Sequence, residues 1–291
     1  MNSYENWNTI SPHFHCHQIP IAIVQVIFAM EYVLKSVTTE DRRRPLIYCV
    51  KFFNDPLPSS SQMFASVGMS SAMVYRVNQA DDSLQLVQSF VDEDHEENYY
   101  ACDWSLTEDG APLLAVAGNR GIIKVFNCID FRMESALIGH GNSINELKTH
   151  PVEDSLLFSA SKDKSIRLWN VRSSVCIAIF AGDDGHKNEV LSLDVHLLGN
   201  CLATASMDTS IKIWNLQDPD LQAMITKSYE PQDLTKSFPT CILQDPLYTT
   251  TLVHTDYVDS VKWVGDCLLT KSTKHRVALW SPDSMRFKVC S

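Results

Sequence analysis

The sequence lacks several features that mark secreted, zinc-binding and membrane proteins. Its nine cysteines include no CxxC pair and their number is odd, which argues against a disulfide framework or a zinc site and for a reducing compartment. Residues 1–19 contain no lysine or arginine, so the positively charged start of an ordinary signal peptide is missing. The longest apolar run, 20–30, holds 11 residues and is too short to cross about 30 Å of hydrocarbon. We therefore expect a soluble intracellular protein.

Basic charge and catalytic motifs are also scarce. Lysine and arginine number 24 against 35 aspartate and glutamate residues, which gives a formal net charge of −11. A surface of this sign repels phosphate backbones, so we expect no direct DNA binding and favour a Lys/Arg-rich peptide as a partner. The sequence contains no GxGxxG, P-loop, GxSxG or HExxH motif. These absences predict a protein that is not an enzyme and uses no cofactor.

What is present is a repeat with a period of roughly 45 residues in a chain of 291 residues. Two segments show it best, because each has a Gly-His pair, an Asp 22 or 23 residues after the His, and a Trp six residues after the Asp. The marker residues are His140, Asp163 and Trp169 in one segment and His186, Asp208 and Trp214 in the other. Before each Trp, apolar and polar residues alternate, which indicates a half-buried strand.

Three weaker copies flank these two segments. The Trp position is aromatic in all five copies, where it holds Tyr75, Phe126, Trp169, Trp214 and Trp280. The Asp position holds Arg120 in the second copy and Lys274 in the fifth. We therefore predict that only the third and fourth repeats form a complete set of polar contacts.

This pattern resembles the WD40 repeat, in which a His–Ser–Asp–Trp network of hydrogen bonds ties the strands of one blade together. The resemblance predicts an all-β fold, a WD40 β-propeller with five visible repeats. It implies two networks, His140, Ser161, Asp163 and Trp169 in one blade and His186, Ser206, Asp208 and Trp214 in the next. WD40 rings usually have seven blades, so we expect either a five-bladed ring or an incomplete ring from a C-terminally truncated form of a longer protein.

Several segments go beyond the general WD40 pattern. They are residues 89–94, 97–104, 114–123, 139–147, 179–182, 185–186, 189–192 and 257–259. Together they resemble the extra sex combs, embryonic ectoderm development (EED) and fertilization-independent endosperm (FIE) family, in the same order from about residue 31 to about residue 282.

The resemblance implies a non-catalytic scaffold and histone-reading subunit of the second Polycomb repressive complex, located in the nucleus. In the family, one face of a seven-bladed propeller holds a long helix of the Enhancer-of-zeste histone methyltransferase, and other subunits of the complex are further partners. The opposite face binds a trimethylated lysine of a histone H3 tail, which stimulates methylation of histone H3 and supports transcriptional repression. Trimethyl-lysine donates no hydrogen bonds, so aromatic faces recognise it through cation–π attraction.

The resemblance also implies a partial methyl-lysine cage. Two of its walls correspond to Tyr48 and Tyr100. The remaining wall in the family is a Trp-aromatic pair of the sixth repeat, and this sequence contains no such pair. We therefore expect weak or no binding of methyl-lysine. From composition alone, both tyrosines could equally be ordinary packing aromatics.

The chain divides into three parts. Residues 1–28 match no part of the family and are expected to be disordered, 29–284 form the repeat domain with an insertion near 217–253, and 285–291 are an atypical tail. His13, His15, Cys16 and His17 form a local cluster that could bind a transition metal, but an unstructured tail is the favoured interpretation and no metal site is expected. The acidic run 92–97 is either a solvated loop or a surface that meets a basic tail.

Two other functions remain open at this point. The chain could be a general WD40 adaptor, such as a ubiquitin-ligase substrate receptor, because repeat physics alone does not separate that role from a Polycomb role. It could also be a non-functional truncated isoform.

Overall fold

The structure is a computed structural model that describes residues 46–53, 62–78, 83–232 and 235–282. It contains five sheets, which we call blades I to V in chain order. Blade I contains β1 (Cys49–Phe52), β2 (Gln62–Gly68), β3 (Ser71–Val77) and β4 (Leu84–Val91). Blade II contains β5 (Tyr99–Leu106), β6 (Pro112–Gly118), β7 (Ile122–Asn127) and β8 (Arg132–Ile138). Blade III contains β9 (Ile144–Thr149), β10 (Leu156–Ser161), β11 (Ile166–Asn170) and β12 (Val175–Phe180).

The last two blades surround a helix and a short extra strand. Blade IV contains β13 (Val190–Val195), β14 (Cys201–Ser206) and β15 (Ile211–Asn215), which are followed by α1 (Pro219–Ser228), β16 (Cys241–Leu243) and β17 (Tyr248–Thr250). Blade V contains β18 (Val258–Val264), β19 (Cys267–Ser272) and β20 (Arg276–Trp280). The segments 1–28 and 285–291, including the cluster of His13, His15, Cys16 and His17, lie outside the described residues.

The innermost strand of every blade borders one central cavity. Residues of β1, β5, β9, β13 and β18 line this cavity together, and in this order each strand packs against the next one, from β1 to β18. Within a blade, consecutive strands pair antiparallel from the centre outwards. The predicted all-β propeller with five visible repeats is therefore confirmed.

The hydrophobic core lies between the blades. All six residues of β10 are buried, because a neighbouring blade covers each face of this strand. Leu156 and Phe158 pack in one cluster with Val190 of blade IV. Leu157, which points to the other face, packs in a second cluster with Leu113 of blade II. A strand covered on both faces reads as a continuous apolar run, which explains why the second strand of a blade shows little alternation.

Acidic side chains connect the innermost strands of successive blades. Each accepts a hydrogen bond from a backbone N–H of the next innermost strand, at 2.7 to 2.9 Å. The pairs are Asp103 with Thr149, Glu146 with Leu193, and Asp194 with Trp263. Between blades I and II the side chain is the donor and the backbone is the acceptor, since the Trp104 indole N–H donates to the Lys51 carbonyl at 3.0 Å. These contacts hold the wall of the cavity together.

The segment after β15 contributes to two blades. Asp218 caps α1 by accepting hydrogen bonds from the N–H groups of Asp220 and Leu221. Leu221 and Ile225 of the helix are buried in the cluster between blades III and IV. Next, β16 pairs parallel to β12 and widens blade III, and β17 supplies the outer strand of blade IV. The stretch 217–253, expected as an insertion, thus contains a helix and two short strands.

The polar network of blade III differs from the sequence prediction at one member. Trp169 Nε1 donates to Ser159 Oγ at 2.8 Å, Ser159 Oγ lies 2.6 Å from His140 Nε2, and His140 Nδ1 lies 2.8 Å from Asp163 Oδ2. The WD40 resemblance implied that Ser161 supplies the linking hydroxyl, but Ser159 supplies it. Ser161 ends β10, and its hydroxyl donates to a backbone carbonyl of the preceding loop and accepts from the Asp163 N–H.

Blade IV repeats the same correction. His186 Nε2 lies 2.8 Å from Thr204 Oγ1, and Trp214 Nε1 donates to the same oxygen at 3.1 Å. His186 Nδ1 lies 3.1 Å from Asp208 Oδ2. Ser206, the predicted link, instead contacts the turn through the Asp208 N–H. In both blades the linking hydroxyl belongs to a residue in the middle of the second strand, because only there can one hydroxyl contact both the His ring and the Trp ring.

Blade V carries a partial network. Thr270 Oγ1 lies 2.7 Å from His254 Nε2 and accepts from Trp280 Nε1 at 3.1 Å. His254 Nδ1 is buried and has no hydrogen-bond partner among the described residues. Lys274 occupies the Asp position and lies 3.7 Å from Asp256 instead. This agrees with the prediction that only the third and fourth repeats are complete.

We predict that Ser159→Ala lowers the free energy of unfolding by about 1–3 kcal/mol, because it leaves His140 Nε2 and Trp169 Nε1 buried without a partner. Urea unfolding measures the loss. Ser89→Ala is the matched control, since Ser89 is exposed on β4 and the same change there should have little effect. Equal losses for the two variants would contradict the network.

The networks also predict acid sensitivity. Burial lowers the pKa of His140 and His186. Below about pH 6.5 the unfolded chain therefore binds protons at these histidines that the folded chain does not bind, and the folded state loses stability. Burial would raise the pKa of Asp163, but its hydrogen bonds from His140 and Ser165 outweigh this and hold it well below the usual range. The stabilisation from this carboxylate is present above about pH 3.9 and is lost below.

We therefore expect the melting temperature to fall as the pH drops below about 6.5, and to fall more steeply near pH 4. His186→Asn should lower stability at neutral pH and make the first decline shallower. His275→Asn, a change at an exposed histidine, is the control and should leave the pH profile unchanged. A melting temperature that is constant between about pH 7 and pH 5 would overturn this account.

Candidate functional site

The central cavity has a volume of about 240 Å³ and is lined by all five blades. The aromatic and charged residues among those that line it are Tyr48, Lys51, Tyr100, Glu146, Asp259 and Lys262. The Lys262 ammonium lies 2.6 Å from a Glu146 carboxylate oxygen, so these opposite charges in the wall are paired. The cavity therefore offers an aromatic mouth above a polar interior.

The two tyrosines of the predicted cage are brought together at this cavity. The ring centroids of Tyr48 and Tyr100 lie 5.3 Å apart, and the rings are nearly perpendicular at 89°. Tyr48 is 46% exposed, and Tyr100 is half-buried. They come from adjacent blades, so two aromatic faces meet at a right angle next to solvent. An arrangement of this kind attracts a cation through both rings.

A bulge at the start of β5 directs Tyr100 into the cavity. The register between β5 and β6 shifts between Tyr99 and Ala101, so one extra residue lies on β5 at this point. Tyr99 is 1% exposed and packs into the core of blades I and II. Because the bulge breaks the alternation of the strand, Tyr99 faces the core while Tyr100 faces the cavity.

The acidic run before β5 is a folded loop in which two of the five carboxylates form ion pairs. Asp92 is buried and accepts hydrogen bonds from the Tyr99 hydroxyl and the Lys124 ammonium. Asp94 forms an exposed ion pair with Arg120 at 2.6 Å. Burial raises the pKa of Glu97, which is 2% exposed. Of the six residues, the exposed acidic ones are Glu93 and Glu96, so little of this charge is available to a basic tail.

At the opposite ends of the innermost strands, loops of neighbouring blades form a second surface. Arg172 donates to the Leu106 carbonyl and pairs with Asp154 at 2.7 Å, which joins blades II and III. His150 Nε2 lies 3.0 Å from the Gly199 carbonyl, which joins blades III and IV. This surface exposes large apolar side chains on its loops: Val152, Leu197 and Leu198. It lies on the face of the propeller away from the two tyrosines.

Sequence reasoning missed Ser159 and Thr204 as network residues, although a signal was present. In each of the three repeats with a Trp, a hydroxyl residue stands ten positions before it: Ser159, Thr204 and Thr270. It also missed the Asp92–Tyr99–Lys124 cluster, because none of these three residues occupies a marker position of the repeat. Within the described residues, no group of three or more His, Cys, Asp or Glu side chains is placed to hold a metal ion. Nor does that part of the chain contain a helix with the length and hydropathy of a membrane span.

Radially arranged sheets with a His–hydroxyl–Trp contact in three blades define a WD40 β-propeller protein. The family model "WD domain, G-beta repeat" matches residues 132–170 and 174–215, which cover the outer strand of blade II, all of blade III and the first three strands of blade IV. The chain belongs to the extra sex combs and FIE family of Polycomb group proteins.

Curated relatives carry this family assignment. The chain is 43% identical over 221 residues to Polycomb group protein FIE2 of Zea mays, across 76% of this chain and 58% of that protein. It is 40% identical over 228 residues to Polycomb protein esc of Musca domestica, across 77% of this chain and 53% of that protein. The chain spans about half the length of the curated relatives it matches.

Solved structures with the same fold include chains of Polycomb repressive complex 2. One from Chaetomium thermophilum, in a complex bound to GSK126, matches with a TM-score of 0.71 and 25% identity over 91% of this chain and 55% of that chain. A second, in a complex with H3K27me3 and H3K27M, matches with a TM-score of 0.68 and 26% identity over 81% of this chain and 48% of that chain.

We predict that Lys124→Met lowers the free energy of unfolding by about 2 kcal/mol, because it leaves the Asp92 carboxylate buried without its cation. Arg120→Met, in the turn before β7, is the matched control, since it breaks only an exposed ion pair and should have a small effect. Urea unfolding compares the two variants. A loss for Arg120→Met as large as that for Lys124→Met would contradict the buried role of Asp92.

Proposed function

We propose that this chain is a non-catalytic subunit of the second Polycomb repressive complex, acts in the nucleus, and presents Tyr48 and Tyr100 to a trimethylated lysine of histone H3. The perpendicular pair of aromatic rings at the mouth of the central cavity is the observation that carries this proposal. Relatives named Polycomb group proteins support it, as does a similar chain solved in a complex with H3K27me3.

The chemistry of the site suits a soft cation better than an ordinary ammonium. A lysine ammonium needs hydrogen-bond acceptors, whereas a trimethylammonium group needs only apolar surface and the negative face of aromatic rings. Tyr48 and Tyr100 supply two such faces. The exposed Glu93 and Glu96 lie on the loop that leads to Tyr100, and they are the small part of the acidic run that remains available to a basic peptide.

Two aromatic faces give a weak site. Cation–π attraction of about 0.5–2 kcal/mol for each ring amounts to about 1–4 kcal/mol, which corresponds to a dissociation constant of about 1 mM or weaker. The chain is therefore expected to discriminate trimethylated from unmethylated lysine without binding either tightly.

The test is an NMR titration of a histone H3 peptide, trimethylated or unmethylated, with this chain. We expect weak binding that prefers the trimethylated peptide, and Tyr100→Ala should weaken it by about 1 kcal/mol, or roughly fivefold. Tyr257→Ala, a change at another exposed tyrosine outside the cavity, is the control. Equal binding of the two peptides, or no effect of Tyr100→Ala, would sink the proposal, and micromolar affinity would contradict the two-wall account.

The scaffold part of the proposal concerns the opposite face. If the tyrosine face meets the histone, the loops with Val152, Leu197 and Leu198 are left for the helix of an Enhancer-of-zeste methyltransferase, and exposed apolar patches of this kind mark protein–protein contacts. Co-purification tests it. Recovery of a Polycomb methyltransferase supports this role, and recovery of cullin-type ligase components without it would favour the general WD40 adaptor.

A further inference from the structure

Two cysteines face each other directly beneath the aromatic pair. Cys49 lies in β1 of blade I and Cys102 lies in β5 of blade II, and their Sγ atoms are 3.7 Å apart. Both carry free thiols, and both line the central cavity. Tyr48 directly precedes Cys49, and Tyr100 lies two residues before Cys102. The sulfur pair therefore joins the same two strands that carry the aromatic rings.

The two thiols differ in reactivity. The Cys102 thiol donates a hydrogen bond to Cys49 Sγ, and this contact lowers the pKa of Cys49 to about 7. The hydrogen bond with Cys49 and full burial raise the pKa of Cys102 well above its usual value. Cys49 is half-buried, whereas Cys102 is fully buried. Because the thiolate is the nucleophile, Cys49 is suited to react first and Cys102 to react second.

We propose that Cys49 and Cys102 form a reversible disulfide when the chain meets a hydroperoxide, which links blades I and II across the mouth of the central cavity. The two sulfurs need to approach by less than about 2 Å to reach the length of a disulfide bond. Innermost strands β1 and β5 already pack against each other. Small rotations of the two side chains, with little movement of the strands, therefore bring the sulfurs together.

The reaction has two balanced steps. First, the Cys49 thiolate attacks one oxygen of hydrogen peroxide, the O–O bond breaks, hydroxide leaves, and Cys49 becomes a sulfenic acid. Second, the Cys102 sulfur attacks the Cys49 sulfur, an S–S bond forms, the S–O bond breaks, and the proton of the Cys102 thiol leaves with the oxygen as water. Two cysteine sulfurs are oxidised by two electrons in total, and one peroxide is reduced. A dithiol then reduces the disulfide back to two thiols by thiol–disulfide exchange.

The disulfide ties together the two strands that carry the aromatic pair. Cys49 directly follows Tyr48 and Cys102 lies two residues after Tyr100, so the cross-link holds β1 against β5 beside the two rings. The redox site does not require the proposed binding of methyl-lysine, and the measurements below are independent of any histone peptide.

The test is peptide mapping of the full chain after exposure to hydrogen peroxide and alkylation of the remaining thiols. We expect a cross-linked peptide that contains Cys49 and Cys102, a mass lower by two hydrogen atoms, and loss of the cross-link on treatment with dithiothreitol. The near-ultraviolet circular dichroism of the tyrosines should change with the cross-link and return with reduction. Cys128→Ala, a change at a buried free cysteine outside the cavity, is the control and should leave the cross-link unchanged.

Two variants assign the roles of the sulfurs. Cys102→Ser should stop the reaction at a Cys49 sulfenic acid that dimedone labels, and Cys49→Ser should leave Cys102 reduced. If either variant does not fold, mapping of the unmodified chain still decides the question. Oxidation of Cys49 to a sulfinic acid without any Cys49–Cys102 peptide would overturn the proposal, as would a cross-link of Cys49 to another cysteine.

Discussion

The candidate site depends on the hydrogen bonds that pass from one innermost strand to the next. Three acidic side chains, Asp103, Glu146 and Asp194, each accept from a backbone N–H of the following blade. Asp194 is buried and the other two are half-buried, and a carboxylate taken out of water without a partner costs several kcal/mol, so these contacts have to form together with the packing of the blades. They set the distance between innermost strands, and this distance determines the width of the cavity.

The aromatic pair and the sulfur pair have the same structural origin. Both result from the approach of β1 to β5, which places Tyr48 beside Tyr100 and Cys49 beside Cys102 although the members of each pair lie more than 50 positions apart in the sequence. The bulge at Tyr100 then separates two adjacent tyrosines, so Tyr99 stabilises the core through Asp92 while Tyr100 remains at the surface of the cavity. Strand β5 and the loop before it thus supply one member of the aromatic pair, one of the sulfur pair and one of the buried ion pair: Tyr100, Cys102 and Asp92.

Particular residues show how far the sequence could predict this arrangement. The five aromatic residues at one repeat position correctly marked the third strand of every blade, because a spacing that recurs is visible without coordinates. The identity of the linking hydroxyl was missed, since Ser159 and Ser161 lie on the same face of β10 and differ only in how far they lie from the strand end. The acidic run was taken as one unit, although burial divides it into Asp92 and Glu97, which are inside, and Glu93 and Glu96, which are exposed.

By itself, the sequence determined the repeat, the all-β class, the absence of known catalytic motifs and the family resemblance, because each of these follows from residue types at fixed spacings along the chain. Only the tertiary structure decided that Tyr48 meets Tyr100 at a right angle, that Cys49 lies against Cys102, and that Asp103 reaches the next blade. The physical reason is that these contacts join separate blades. Their geometry depends on how the sheets pack and where a bulge shifts the register, and neither is encoded in the spacing of any one repeat.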